Sequence, residues 1–375
     1  MMMMMTRSIL KRRVRAAGLA AACAAGVAMA APAPAQPAAA ADGAVPLDGV
    51  RVPLSDFLSP EAQAYLRQLI LEHPFAGGPG PSDIKGERAH QDKIMRAFLA
   101  PMLTRYKVHI AEERIGGILT EVITPAEGVA PESRDRLLIN VHGGGFTTGA
   151  RSASLVESVP LAALMRIKVV SIDYRMGPEH SFPAASEDVA TVYRALLKTH
   201  APEKMALYGC SAGGLLTAQS IAWFQTQGLP NPAAIGIFCA STGGFFGGDS
   251  MHYAGPLTNG PLPPRPEGDG ARAAPPPPPG HAYLGKARAD DPLVYPIVSP
   301  AVLAKFPPTL FITGTRSFEF SAALNAHVQL DKAGVETRFH GWDGMFHGFF
   351  YNSELPESRE AYDVMVRFFD KHLAR

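Results

Sequence analysis

The stretch "ALYGCSAGGLL", Ala206 to Leu216, reads as the end of a strand, a glycine-tight turn and the start of a helix. It sets one serine, Ser211, between Gly209 and Gly213. A serine hydroxyl is a poor nucleophile near neutral pH. It becomes reactive when a base takes its proton and hydrogen-bond donors stabilise the oxyanion that forms. In the pattern G-x-S-x-G between strand and helix, the glycines leave room for a sharp corner, and the helix aims its N-terminus at the developing charge. Ser211 is therefore a candidate nucleophile, provided the rest of the chain supplies a base, an acid and donors.

Beyond residue 107, short apolar runs alternate with longer helical patterns, the mark of βα units and a mostly parallel sheet. Strands are expected at Arg136 to His142, Lys168 to Tyr174, Met205 to Gly209, Ala234 to Ala240, Pro308 to Gly314 and Glu336 to Trp342. An earlier, antiparallel strand is expected at Gly117 to Pro125. Ala185 to His200 and Ser358 to Leu373 have helical periodicity, as do two segments nearer the N-terminus, Ser59 to His73 and Gly86 to Tyr106. From Gly247 to about Gly280 glycine and proline dominate, ending in "APPPPPG", which excludes a regular helix or a central strand there. The segment reads as a surface excursion, with a lid or substrate-facing loop as the alternative.

The 375 residues are 47% hydrophobic and 18% charged, ample for one large core. A formal net charge of +1 speaks against a nucleic-acid surface. The charge is unevenly placed, because Arg7, Lys11, Arg12, Arg13 and Arg15 precede residue 36 with no acid among them. That basic head, the apolar run Ala16 to Ala30 and the small-residue sites "AMA" and "APA" make residues 1–35 an expected secretory signal. The run is too short for a stable membrane span. Residues 36–49, rich in alanine and proline, read as a disordered tether. Export to the periplasm or the medium follows. Of three cysteines only Cys210 and Cys239 lie past the leader, and both read as buried free thiols. No Cys/His cluster has metal-ligand spacing, and no cofactor is implied.

A second glycine cluster supplies the donors. "VHGGGF", Val141 to Phe146, follows another expected strand, and three successive glycines expose backbone N–H groups with no side chains in the way. "HGGGF", then "DYRMGPEHSFPAASEDV" (Asp173 to Val189), then "GCSAGG", in that order, resembles the hormone-sensitive-lipase-like branch of the α/β-hydrolases. The likeness runs from about Leu119 to the C-terminus. It implies an α/β-hydrolase fold: a mostly parallel central sheet with flanking helices and a helical cap. Residues 50–106 would be the cap helices and residues 107–375 the catalytic domain. It also implies Ser211 as nucleophile and an oxyanion hole made by the backbone N–H groups of Gly143, Gly144 and Ala212. His142, Glu179, His180 and Asp188 would organise loops rather than react.

The base belongs on a loop after the last strand, where "WDGMFHGF" offers His347. His340 falls within a strand and His327 within a helix. The acid is where this chain departs from its relatives, which usually carry Asp three residues after the glycine ending the penultimate strand. Here that glycine is Gly314, and Ser317 stands in the aspartate's place. Glu319, two residues on and one methylene longer, is the expected acid. Ser317 with a water, or Asp343, are the alternatives, as is a site with no working acid. Relatives also usually have Asp where Cys210 stands.

The resemblance implies cleavage of small carboxylic esters, with short to medium acyl chains, through an acyl-enzyme. A homodimer is expected from relatives that pair edge strands. Two further readings stay open on sequence alone: a binding protein that kept the pocket and lost turnover, and a hydrolase of an amide, lactone or sugar acetyl ester.

Overall fold

In a computed structural model the described residues are 51–72, 82–258, 281–285 and 287–374. The expected leader and tether, and residues 259–280 of the glycine/proline-rich stretch, lie outside them.

Two N-terminal helices, α1 (Pro60–Glu72) and α2 (Ile84–Arg105), precede a hairpin of β1 (Val108–Ile115) and β2 (Ile118–Pro125). The chain then alternates through β3 (Leu137–Val141), α3 (Ala153–Leu164), β4 (Lys168–Ile172), α4 (Ala184–Leu196), β5 (Met205–Cys210), α5 (Ala212–Thr226) and β6 (Ala234–Phe238). The helices α6 (Ser250–Thr258), α7 (His281–Leu284) and α8 (Pro300–Leu303) lie before β7 (Thr309–Gly314). Then come α9 (Phe320–Lys332), β8 (Thr337–Trp342) and α10 (Pro356–His372). Among the described residues these strands form one sheet in the order β1-β2-β4-β3-β5-β6-β7-β8. Both of β2's pairings, with β1 and with β4, are antiparallel, and every pairing from β4 to β8 is parallel.

The central strands β3, β5, β6 and β7 are buried along their whole length because both faces of the sheet are covered. Their period of two divides the core. Ile139, Leu207, Ile237 and Phe311 pack with α4, α5 and α9 on one face. Leu138, Ala206, Tyr208, Leu310 and Ile312 pack with α3 and α10 on the other, together with Leu66 of α1 and Met102 of α2.

Two features depart from the sequence expectation. β1 was not foreseen: six of its eight residues are exposed, so it lacks the alternation that marks a half-buried strand. The segment after Gly247 does contain a regular helix, α6. Its first residue, Ser250, is fully buried and fastened to the start of α9. There Ser250 Oγ donates to the Phe318 carbonyl at 2.9 Å and accepts from Ser321 N–H at 2.9 Å. Tertiary anchoring thus outweighs the local composition. Replacing Ser250 with Ala leaves a backbone acceptor and a backbone donor unpaired in a closed space. The expected loss is about 1–3 kcal/mol of stability. Chemical denaturation checks it, and an unchanged midpoint at unchanged slope would contradict the anchor.

Candidate active site

The sheet's carboxyl edge gathers the residues singled out in the sequence. Ser211 joins β5 to α5 with φ 56° and ψ −125°, a left-handed conformation that a serine adopts at a cost of about 1–3 kcal/mol. Its N–H donates to the Phe238 carbonyl at 2.8 Å, tying the corner to the end of β6. The flanking glycines are required by the loop after β3. A Cβ at Gly209 would sit 2.1 Å from the Val141 carbonyl oxygen, and one at Gly213 would sit 1.9 Å from that same atom. The oxyanion loop and the serine corner therefore touch backbone to backbone.

His347 lies on the loop after β8, three strands along the sheet from β5. Its Nδ1 lies 2.9 Å from Glu319 Oε2. The ionised carboxylate can only accept, so Nδ1 carries the proton and Nε2 is left free to act as a base. The imidazole is 28% exposed while Glu319 is wholly buried. Glu319 Oε1 accepts from Thr313 Oγ1 at 2.7 Å, and Ser317 Oγ donates to Oε2. Burial pushes the Glu319 carboxyl up, but the charge of His347 when protonated and these hydrogen bonds outweigh it and hold the group below the usual carboxylate value. Phe318 stacks on the imidazole, ring centres 4.6 Å apart, and Gly348 N–H meets Cys239 Sγ at 3.2 Å. Gly314, at the end of β7, admits this arrangement because a Cβ there would lie 2.2 Å from the Met345 carbonyl oxygen.

The other expected residues divide clearly. Ser317 serves Glu319 directly, with no water needed between them. Asp343 is taken up by Ser55 and by Thr315 Oγ1. His340 lies in β8, and His327 in α9 meets Thr337 Oγ1 at 3.1 Å. Glu179 forms a two-pronged pair with Arg88 at 2.7 Å, and Asp188 receives Arg175 N–H at 2.8 Å and its Nε at 2.9 Å. His142 is buried and stacks on Tyr174 at 4.3 Å, so all three organise loops. Cys210 and Cys239 are free and buried, and burial pushes both thiols up, away from the nucleophilic form.

One expected donor is otherwise engaged. Gly143 N–H donates to Glu157 Oε1 at 2.8 Å, which leaves Gly144 N–H and Ala212 N–H as the members of the expected trio with no acceptor among the described residues. Glu157 was missed from sequence. Its signal was a lone acid in "ASLVESVPLAAL", a helix otherwise apolar and small. Tyr351, whose hydroxyl donates to Glu157 Oε1 at 2.6 Å, was missed with it.

The class defined by this fold is confirmed by comparison with known proteins. Residues 138–351 match the family described as alpha/beta hydrolase fold, and the chain belongs to that family. An acetyl-hydrolase of Streptomyces hygroscopicus is 30% identical over 258 residues, 68% of this chain and 82% of the relative. An esterase of Acinetobacter venetianus is 24% identical over 265 residues, covering 70% of this chain and 82% of the relative. Among solved structures, an esterase at 26% identity superposes with a TM-score of 0.71 over 88% of this chain and 99% of its own. An esterase from the bacterial hormone-sensitive lipase family, at 23% identity, shares the fold with a TM-score of 0.70 over 84% of this chain and 99% of its own.

The geometry sets a pH signature. Glu319 is held below its ordinary value of 4.5, so its contribution to stability is present above that pH. The contribution is lost as pH falls through the lower, folded value. The stability gap between the wild type and Glu319→Gln is therefore expected to be wide at pH 7 and to close below pH 4.5, as read by denaturant titration at each pH. A gap independent of pH would contradict the ion pair.

Proposed function

We propose that the protein is an exported serine esterase that cleaves carboxylic esters of short to medium acyl chains through an acyl-enzyme. The observation that carries this reading is the 2.9 Å contact between His347 Nδ1 and buried Glu319, set on the same sheet edge as Ser211. Ser211 Oγ attacks the ester carbonyl while His347 Nε2 takes its proton. Glu319 stabilises the imidazolium that results. Gly144 and Ala212 N–H groups, the latter at the first turn of α5, receive the oxyanion. His347 returns the proton to the leaving alcohol, and water, activated by the same imidazole, releases the acid. A binding protein without turnover would have no use for a buried acid that fixes a histidine tautomer.

A recess of about 480 Å³ lies between α1 and α2, with Tyr65, Leu69, Ile94 and Phe98 beside the polar Gln68 and Lys93, and with neither Ser211 nor His347 in its wall. Tyr65 packs against Phe346, the neighbour of His347, at 5.9 Å. The short to medium acyl chain rests on the resemblance of the sequence, not on that recess. α1 and α2 act as the cap. Arg88 of α2 bonds the Thr147 and Gly177 carbonyls at 2.8 and 3.0 Å, and Asp92 accepts from Ser152 Oγ at 2.7 Å. The name of the Acinetobacter relative, esterase, supports an ester substrate. Export rests on the basic head and the "AMA" and "APA" sites. A homodimer paired along an edge strand of the sheet, where β1 and β8 are the two edges, belongs to the same reading.

Hydrolysis of p-nitrophenyl butyrate is expected from the wild type and absent from Ser211→Ala. Glu319→Ala is expected to lose on the order of a thousandfold to ten-thousandfold in kcat. Turnover unaffected by either change would sink the assignment. In a secreting host, the protein outside the cytoplasm is expected to begin at Ala31 or Gln36. Full-length protein retained inside the cell would contradict export.

A further inference from the structure

α3 is buried on every residue from Ala153 to Ala162, and Glu157 lies in the middle of that run. A carboxylate in such a place is costly unless all its lone pairs are met. Here they are. Oε1 accepts from Gly143 N–H at 2.8 Å and from the Tyr351 hydroxyl at 2.6 Å. Oε2 accepts from Asn140 Nδ2 at 2.9 Å and from Cys210 N–H at 3.3 Å. The four donors come from four separate parts of the site. Asn140 is in β3, Gly143 directly precedes the oxyanion donor Gly144, Cys210 directly precedes Ser211, and Tyr351 ends the short turn after His347. No other group of the mechanism holds these parts to one another by side-chain hydrogen bonds.

We infer that Glu157 is a positioning residue that sets the oxyanion donors in register with Ser211. The inference rests on the esterase reading. With its own N–H held, Gly143 fixes the plane from which the next peptide, bearing Gly144 N–H, departs. With Cys210 N–H held by the same carboxylate, the strand end that carries Ser211 shares that reference point. The contact is close. A Cβ at Gly143 would lie 2.8 Å from the Cys210 carbonyl oxygen, 3.2 Å from Glu157 Oε1 and 3.2 Å from the Tyr351 hydroxyl. A shift of about 1 Å between donor and nucleophile is enough to cost on the order of a hundredfold in rate. An amide at this position cannot replace the acid, because its NH2 would face two of the four donors in either orientation.

The test compares wild type with Glu157→Gln, both counted by active-site titration with a fluorophosphonate so that rates refer to folded sites. Three quantities are read: kcat and KM for p-nitrophenyl butyrate, affinity for a trifluoromethyl ketone (which binds as an oxyanion), and amide hydrogen exchange across residues 141–149. Expected are a kcat lower by about 10- to 100-fold with KM within about twofold, ketone affinity lower in step with kcat/KM, and faster exchange in the loop. Equal kcat in the two proteins overturns the inference, as does a fall in kcat with ketone affinity unchanged. If Glu157→Gln does not fold, Tyr351→Phe removes one donor and keeps the carboxylate. It is expected to show the same pattern at about 3- to 10-fold, and unchanged kcat there overturns the inference equally. Should the wild type hydrolyse no ester, the esterase reading fails separately. The exchange arm then still decides whether Glu157 holds the loop.

Discussion

The Val141 carbonyl lies where a side chain at Gly209 or Gly213 would have to be. That backbone-to-backbone contact is the constraint on which the site depends. It brings the loop after β3 against the corner after β5, so that the glycine run expected to supply donors lies beside the serine expected to attack. It also explains why glycine recurs at both ends of the serine motif and again at Gly143, whose neighbours would crowd any Cβ. A parallel sheet makes the contact possible, since β3 and β5 are adjacent and end on the same edge.

Two buried glutamates then do opposite electrostatic work. Glu319 faces an imidazole and two hydroxyls, and the charge that the imidazole carries when protonated, with those hydrogen bonds, draws its carboxyl below the usual range despite full burial. Glu157 faces neutral donors only, so burial wins and pushes its carboxyl up to about 7. The first is suited to steady a charge that appears during turnover. The second supplies fixed acceptors for backbone groups and has no cation to answer. The same residue type thus serves as partner in one place and as scaffold in the other, and the difference is set by what surrounds each.

Much of this was legible in the sequence because it is written locally. The parallel strands announced themselves as short apolar runs, Ser211 by its glycines, and His347 by its place after the last strand. Glu319 was readable only as a displaced acid, since no local rule says that a residue two positions past the expected one can turn back to the histidine. The parts that escaped depend on contacts far along the chain. β1 is exposed along most of its length and carries no period. α6 is held by hydroxyl and backbone contacts with α9 that its glycine- and proline-rich surroundings conceal. The engagement of Gly143 by Glu157 joins positions fourteen residues apart, and Tyr351 reaches the same acid from 194 residues away.

The central claim is that Ser211 is made nucleophilic by a histidine whose orienting acid is Glu319. The most direct measurement is the rate at which a fluorophosphonate labels the protein, with the modified peptide located by mass spectrometry. The account predicts one equivalent on the peptide bearing Ser211, and labelling slower by on the order of a thousandfold in Glu319→Ala. Labelling at another residue, or at an equal rate in both proteins, would contradict it.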